Sequence, residues 1–196
     1  MGSEAIKSKS RLKTLDMVYI SLFSALMMIG ANITSFIPFM VIGGVPITLQ
    51  GFFAILAGAF LGSRLGAISM AVYAFIGLAG APVFARFHGG IGQLLSPTFG
   101  FIIAFIFTAY ITGKIIEKNN KVHSYVIAAL LGMAFCYLFG TNWMYAAYKL
   151  WAAAPDVFTY KVAWMWMAVP LPKDILLGIL AGLFAHRMQG IIKRPK

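Results

Sequence analysis

The sequence predicts an all-α integral membrane protein, a bundle of six transmembrane helices with both termini in the cytoplasm. Of its 196 residues, 61% are apolar and only 11% are charged. Soluble domains are nearer half apolar and a quarter charged, so a soluble fold of this length could not bury so much apolar surface. We therefore expect the chain to lie in a lipid bilayer as a single membrane domain, residues 1–196.

Six apolar segments account for most of this composition. A hydrocarbon core of roughly 30 Å needs about 20 apolar residues per helix. We predict spans at residues 17–37, 46–61, 65–81, 96–116, 124–148 and 170–188. The second and third are short, so they could be tilted, broken or partly re-entrant. The bundle then covers 16–188, with a basic cytoplasmic segment at 1–15, a longer loop at 149–164 and a basic cytoplasmic tail at 189–196.

The distribution of charge predicts the orientation. The net charge is +11, and cytoplasmic loops of membrane proteins carry an excess of Lys and Arg. With six spans and both termini inside, Lys173 lies at the membrane boundary and the outer loops hold only Arg86, Lys149 and Lys161. The cations assigned to the inside are Lys7, Lys9, Arg11, Lys13, Arg64, Lys114, Lys118, Lys121, Arg187, Lys193, Arg194 and Lys196. Orientation in a membrane explains these charges better than nucleic-acid binding, which we do not expect.

Small residues recur at a spacing of four on three predicted helices. Such spacing lets helices approach closely in lipid. Ser21 and Ala25 form a pair on the first helix, where docking of a partner membrane protein is most plausible. The rows on the second and sixth helices favour packing within the bundle, and they comprise Ala54, Gly58, Gly62, Gly178 and Gly182.

Lys173 and Asp174 are the most informative charges. They stand in the first turn of the last predicted helix, after Pro170 and Pro172, and proline suits a helix start. One interpretation is structural, with an acid at the positive end of the helix dipole and a lysine that reaches the interface. The other is a ligand site, because ionisable groups at membrane depth usually face an interior site.

The loop at 86–97 is polar and rich in glycine. It carries Arg86, His88, Gly89 and Gly90, and glycines let backbone N–H groups approach a ligand. The single cysteine, Cys136, lies in an apolar run and predicts a buried side chain. We find no metal-binding, nucleophile–base or Walker motif, so neither a metal site, a cofactor nor an enzyme is expected.

Several strings together resemble the BioY family, the substrate-binding (S) components of energy-coupling-factor (ECF) biotin transporters. They are VPITLQ at 45–50, LAGAFLGSRLGAISMAVYAFIGLAGAPVFA at 56–85, GGIGQLLSPTFGFIIAF at 89–105, and Pro172, Lys173 and Asp174. The resemblance covers residues 15–187. No single string is specific, but their order, spacing and six-span context together are.

The resemblance implies a function and a set of partners. Members of this family are six-helix proteins of prokaryotic cell membranes that bind biotin with high affinity from outside. They deliver it with a membrane coupling subunit (EcfT-like), which carries two cytoplasmic ABC-type ATPases. Docking onto that subunit uses a small-residue face of the first helix, which here would be Ser21 and Ala25.

Biotin itself predicts which residues would contact it. Asp174 could accept from a ureido N–H, and Lys173 or Arg86 could meet the carboxylate. The other ligand-binding candidates are Gln50 and Asn142 for the ureido edge, Tyr73, Phe84 and Trp143 for the apolar parts, and the backbone of Gly89 and Gly90.

One position departs from the family pattern. The family has a lysine three residues after the aspartate of the sixth helix, and here that position is Leu177, which leaves Lys173 as the nearest lysine. Two rival functions remain: an S component for another vitamin, such as thiamine or riboflavin, and a small membrane enzyme or channel. A channel would need a polar path that the spans do not show.

Overall fold

The computed structural model describes residues 12–36, 41–42 and 45–189, and most of them are helical. A short antiparallel hairpin of β1 (Val41–Ile42) and β2 (Val45–Pro46) lies between the first two helices. The helices are α1 (Thr14–Asn32), α2 (Gln50–Leu78), α3 (Phe99–Lys118), α4 (Val122–Leu150), α5 (Tyr160–Ala168) and α6 (Leu171–Met188). The all-helical fold class is confirmed.

Helix α2 folds back on itself at Gly62. This residue has φ +81° and ψ 177°, a conformation that only glycine adopts without strain. A Cβ built on Gly66 would lie 2.9 Å from the Cα of Gly58, whereas eight residues of straight helix span about 12 Å. The two limbs, 50–61 and 63–78, are therefore antiparallel neighbours.

This reversal explains the two short predicted spans at 46–61 and 65–81. The break lies where the sequence predicts it, but the first limb begins at Gln50 and not at residue 46. At 1.5 Å per residue that limb is roughly 18 Å long, well short of a hydrocarbon core. Among the described residues, α1, α2, α3 and α4 are long and apolar enough to cross a membrane, if the two limbs of α2 are counted as one helix, and α5 with α6, bent by 52°, would make a fifth.

The helical segments run in alternating directions between two ends of the bundle. One end of the bundle carries Arg64, Lys118 and Lys121, and we call it the basic end. There, Glu117 of α3 accepts hydrogen bonds from Ser63, and the Tyr125 hydroxyl lies 2.8 Å from Oε1 of Gln189. At the opposite end, Leu49 N–H donates to the carbonyl of Gly30 at 2.9 Å. The described chain therefore starts and finishes at the basic end. Residues 1–11 and 190–196 lie outside the described residues, so the location of the termini stays a prediction.

Other boundaries also differ from the sequence prediction, and α1 ends at Asn32 where the span was predicted to reach residue 37. The predicted loop 149–164 contains the start of α5, which the Thr159 hydroxyl caps by accepting from Val162 N–H. The predicted span 96–116 begins later, at Phe99, because a 3-10 turn, Ile91–Leu95, precedes it. Both extra elements are short and lie beside the cavity described below.

Candidate ligand-binding site

A cavity of about 200 Å³ opens at the end of the bundle opposite Gly62. Its walls come from the β2–α2 connection, the loop 84–98, the start of α3, the second half of α4 and the start of α6. Buried apolar side chains such as Phe99, Ile102 and Phe105 form the floor, whereas Arg86 and His88 are exposed at the rim. The cavity therefore changes from apolar inside to cationic at its opening.

Asp174 lies on the wall with both carboxylate oxygens engaged. The Lys173 ammonium is 2.7 Å from Oδ1, and the Tyr137 hydroxyl donates to Oδ2 at 2.6 Å. Lys173 also donates to the carbonyl of Thr48 at 2.7 Å, which joins the start of α6 to the β2–α2 connection. This network orients the carboxylate towards the cavity and neutralises its charge.

The local sequence explains why Asp174 stands there. Pro170 and Pro172 begin α6, and proline has no N–H to lose at a helix start. Asp174 makes no side-chain cap of the helix, since its oxygens bond to Lys173 and Tyr137 instead. The capping interpretation therefore does not describe this carboxylate, although the helix dipole still favours an acid in the first turn.

Gln50 and Phe84 also line the cavity, and Tyr73 supports both from behind. Gln50 begins α2, is 5% exposed, and donates its amide N–H to the Tyr73 hydroxyl at 2.9 Å. Tyr73 in turn donates to the carbonyl of Val83 at 3.3 Å. The Phe84 ring packs edge-on between Tyr73 and Phe99. The amide oxygen of Gln50 has no hydrogen-bond partner among the described residues, which leaves it available to a ligand.

Arg86 brings a cation to the rim through a strained turn. It has φ +62°, an uncommon conformation for a side chain with a Cβ. Its N–H donates to Ser35 Oγ at 3.1 Å, and the next N–H, of Phe87, donates to Asn32 Oδ1 at 2.8 Å. These bonds hold the loop 84–98 against the end of α1. Within the described ranges, the guanidinium has no hydrogen bond or ion pair.

The other six predicted ligand residues lie outside the cavity lining. A Cβ on Gly89 would collide with the carbonyl of Ala81, and Gly90, at φ +96°, donates its N–H to the carbonyl of Gly77 at 2.7 Å. Both glycines therefore shape the loop rather than face the cavity. Lys173 and Tyr73 stand just behind the lining, whereas the remaining two residues are further away.

Trp143 and Asn142 lie on the outer side of the cavity walls. The Trp143 indole packs on Gly100 and donates to the carbonyl of Ser96 at 3.3 Å, so it holds the loop from outside. Asn142 is exposed and donates to the carbonyl of Leu138 at 2.7 Å. The structure gives neither side chain a contact with the cavity.

Sequence reasoning missed several residues of the lining, among them Tyr137, which bonds to Asp174. Nothing local marks it among the aromatic residues of α4. The other polar residues of the lining that were not predicted to bind a ligand are Thr48, His88, Gln93, Ser96, Thr98, Thr108 and Tyr148.

The chemistry of the cavity suits capture of a ligand. It offers an apolar floor, an oriented carboxylate with a tyrosine hydroxyl, a buried amide and a cation at the rim. Pockets that bind small molecules are mostly apolar with a few placed polar groups. Across the described ranges, no three His, Cys, Asp or Glu side chains lie close enough to hold a metal ion.

Known proteins resemble this chain over nearly its whole length. The model of the BioY family matches residues 6–194. BioYB of Bacillus subtilis strain 168 is 43% identical over 178 residues, which cover 89% of this chain and 88% of that protein. The biotin transporter BioY of Rhodobacter capsulatus is 32% identical over 187 residues, with coverage of 87% and 91%. A solved structure of the S-component for biotin from an ECF-type ABC transporter has a TM-score of 0.73 at 22% identity, covering 92% of this chain and 95% of that one, which supports the fold.

Proposed function

Because the chain belongs to the BioY family, we propose that it is a multi-pass protein of a prokaryotic cell membrane that binds biotin from outside as the S component of an ECF-type importer. The observation that carries this proposal is a cavity that is apolar at its floor, with acceptor oxygens on one wall and an exposed guanidinium at its rim. The relatives named biotin transporter support the choice of ligand.

The proposed membrane topology has six crossings and cytoplasmic termini. The alternating helix directions support it when the two limbs of α2 count separately. Lys13, Arg64, Lys118, Lys121 and Arg187 lie near the basic end, as the excess of cations in cytoplasmic loops requires. The cavity then faces outward, where biotin would be captured. Cysteine accessibility at Arg64 and Lys161 tests this, because labelling of both positions from one side would contradict it.

In the proposed pose, each end of biotin meets a complementary group. A ureido N–H donates to Asp174, and the ureido edge also reaches the amide of Gln50. The apolar bicycle lies against Phe84 and Phe99, and the carboxylate meets Arg86 at the rim. A charge-assisted bond to guanidinium is roughly twice as strong as a neutral one. Arg86 is favoured over Lys173 for this role because Lys173 already bonds to Asp174 and Thr48.

The same charges argue against a cationic vitamin such as thiamine. Such a ligand would want an unpaired acid, but Asp174 is already neutralised by Lys173 at 2.7 Å. A thermal-shift screen of the purified chain in detergent against biotin, thiamine and riboflavin tests the proposal. Biotin alone should raise the melting temperature, since a ligand stabilises the state that binds it. Stabilisation by another vitamin and not by biotin would overturn the choice of ligand.

We further propose that α1 docks a membrane coupling subunit, which carries two ABC-type ATPases that drive import. Ser21 and Ala25 are exposed on its outer face, while Phe23, Ser24 and Met27 are buried against the bundle. An exposed small-residue face allows another helix to approach closely in lipid. The protein itself contributes capture and docking in this proposal, and no catalysis.

Bulky substitutions on α1 test the docking proposal. Ser21→Trp and Ala25→Trp should abolish co-purification with the coupling subunit while biotin affinity stays unchanged. Ala134→Trp is the matched control, because Ala134 is an exposed small residue on α4. Normal complex formation by both α1 variants would contradict the assignment of this face.

A further inference from the structure

The Tyr137 hydroxyl has its proton directed at Asp174. Its oxygen lies 2.6 Å from Oδ2, while the Lys173 ammonium lies 2.7 Å from Oδ1. An ionised carboxylate can only accept hydrogen bonds, so the tyrosine hydroxyl must be the donor. The hydroxyl oxygen keeps acceptor capacity that this bond does not use.

This geometry makes one wall of the cavity a surface of acceptors. Both Tyr137 and Asp174 line the cavity, and their oxygens are adjacent. The neighbouring ammonium of Lys173 is directed at Asp174 and at the carbonyl of Thr48, 2.7 Å from each. A ligand edge that carries N–H groups fits such a wall, whereas a carbonyl or carboxylate would meet like-charged or electron-rich oxygens and be repelled.

We propose that Tyr137 is a specificity-determining residue of the biotin site, which fixes the direction in which the ligand enters. Its hydroxyl positions Asp174, and the two oxygens together receive the ureido N–H edge. The carboxylate of biotin then lies on the other side of the cavity, where Arg86 stands at the rim. This inference rests on the proposed function, since it presupposes that biotin is the ligand.

The hydroxyl can be removed while the ring stays in place. The Tyr137 ring is half-buried and packs against the hydrophobic core, so Tyr137→Phe keeps its apolar contacts. Tyr145→Phe is the matched control. Tyr145 is also half-buried in the same half of α4, but it does not line the cavity.

Isothermal titration tests the proposal with four ligands on three proteins. The ligands are biotin, the two isomers of biotin methylated on one ureido nitrogen, and biotin methyl ester. We expect Tyr137→Phe to weaken biotin binding about fivefold, the equivalent of one neutral hydrogen bond of about 1 kcal/mol. The control variant should bind as the wild type does. Melting temperatures of the ligand-free proteins show whether each variant is folded.

The methylated ligands distinguish a specificity role from a structural one. Methylation of the ureido nitrogen that faces Tyr137 should weaken binding to the wild type, and this loss should shrink in Tyr137→Phe because the two changes remove the same contact. The methyl ester should lose the same factor in both proteins. Equal losses for the N-methyl ligand in both proteins would assign Tyr137 a structural role and overturn the inference.

The design also separates this inference from the proposed function. A wild-type protein that binds no biotin would refute the function itself. A wild-type protein that binds biotin, beside a Tyr137→Phe variant of equal affinity, would refute only the role of Tyr137. If that variant does not fold, the wild type still decides, because equal binding of biotin and of both N-methyl isomers would exclude a ureido contact at this wall.

Discussion

The two ends of the bundle differ in the size of the side chains that pack there. At the basic end and through the middle, glycines bring backbones into contact: a Cβ on Gly58 would collide with the carbonyl of Ala109, and one on Gly113 with the backbone of Ser63. At the other end, rings such as Phe84 and Phe99 line the cavity. Small residues thus close the bundle where only packing is needed, and large ones open it where a ligand enters.

The carboxylates at the two ends also differ in what surrounds them. Glu117 accepts from both the N–H of Ser63, at 2.6 Å, and its hydroxyl, at 2.9 Å, so this carboxylate is committed to the turn at Gly62. Asp174 is also paired, yet it lines a cavity. Substitutions at the basic end should therefore lower the stability of the protein, whereas substitutions at the cavity should lower its affinity for the ligand.

The largest effect on stability should follow from Gly58→Ala. The new methyl group would meet the Ala109 backbone, which cannot move aside as a flexible side chain could. Overpacking of this kind typically costs about 1–3 kcal/mol, more than the gain of about 1 kcal/mol from the better helix propensity of alanine. A lower melting temperature in detergent is the measurement.

Gly51→Ala is the control at the cavity end of the same helix. Nothing lies within 4 Å of a Cβ at Gly51, so this variant should melt at or slightly above the wild-type temperature. Equal destabilisation by both substitutions would mean that the two ends are not packed differently.

A smaller, purely functional effect should follow from Arg86→Gln. Loss of the guanidinium should weaken biotin binding about tenfold, because one charge-assisted hydrogen bond is removed. The melting temperature should stay unchanged, since the Arg86 side chain is exposed. Calorimetric titration with biotin and its methyl ester measures the effect, which should be confined to the free acid.

Lys149→Gln serves as the control for loss of a cation at the cavity end, because Lys149 is exposed and does not line the cavity. The two variants should differ in affinity for biotin. A similar loss for acid and ester in Arg86→Gln would show that Arg86 supports the loop and does not meet the ligand carboxylate.

The smallest effect should come from Glu117→Gln at the basic end. The amide keeps an acceptor for Ser63 but loses its charge, so about 1 kcal/mol of stability should be lost and biotin affinity should be retained. Lys114→Gln should change less, because its ion pair with Glu117 is 3.9 Å long and more than a third exposed. Loss of biotin binding in Glu117→Gln would argue that the two ends are coupled.

Much of the fold could be predicted because local sequence determines it. The apolar composition indicates the membrane, Gly62 with the polar residues after it marks the reversal of α2, and Pro170 and Pro172 mark the start of α6. The helix α5 was missed because it is short and lies between turn-forming residues. Its capping residue, Thr159, is the signal that could have indicated it.

The site could be predicted only in part, since its contacts join distant parts of the chain. Gln50, Phe84, Arg86 and Asp174 were predicted and line the cavity. The bond between Tyr137 and Asp174 joins α4 to α6, and no local pattern indicates which face of α4 meets α6. Trp143 was expected to cover the ligand because aromatic residues often do, but its orientation follows from close packing on Gly100.

Calorimetric titration of biotin into the wild type, Asp174→Asn and Asp174→Ala tests the central claim most directly. Charged partners contribute roughly 1.5–3 kcal/mol per hydrogen bond, so loss of Asp174 should raise the dissociation constant by about one to two decades, with alanine the worse. Ligand-free melting temperatures, measured in parallel, should change little in comparison. Wild-type affinity in Asp174→Ala would contradict the account, because the cavity end would then hold its ligand without the carboxylate around which it is organised.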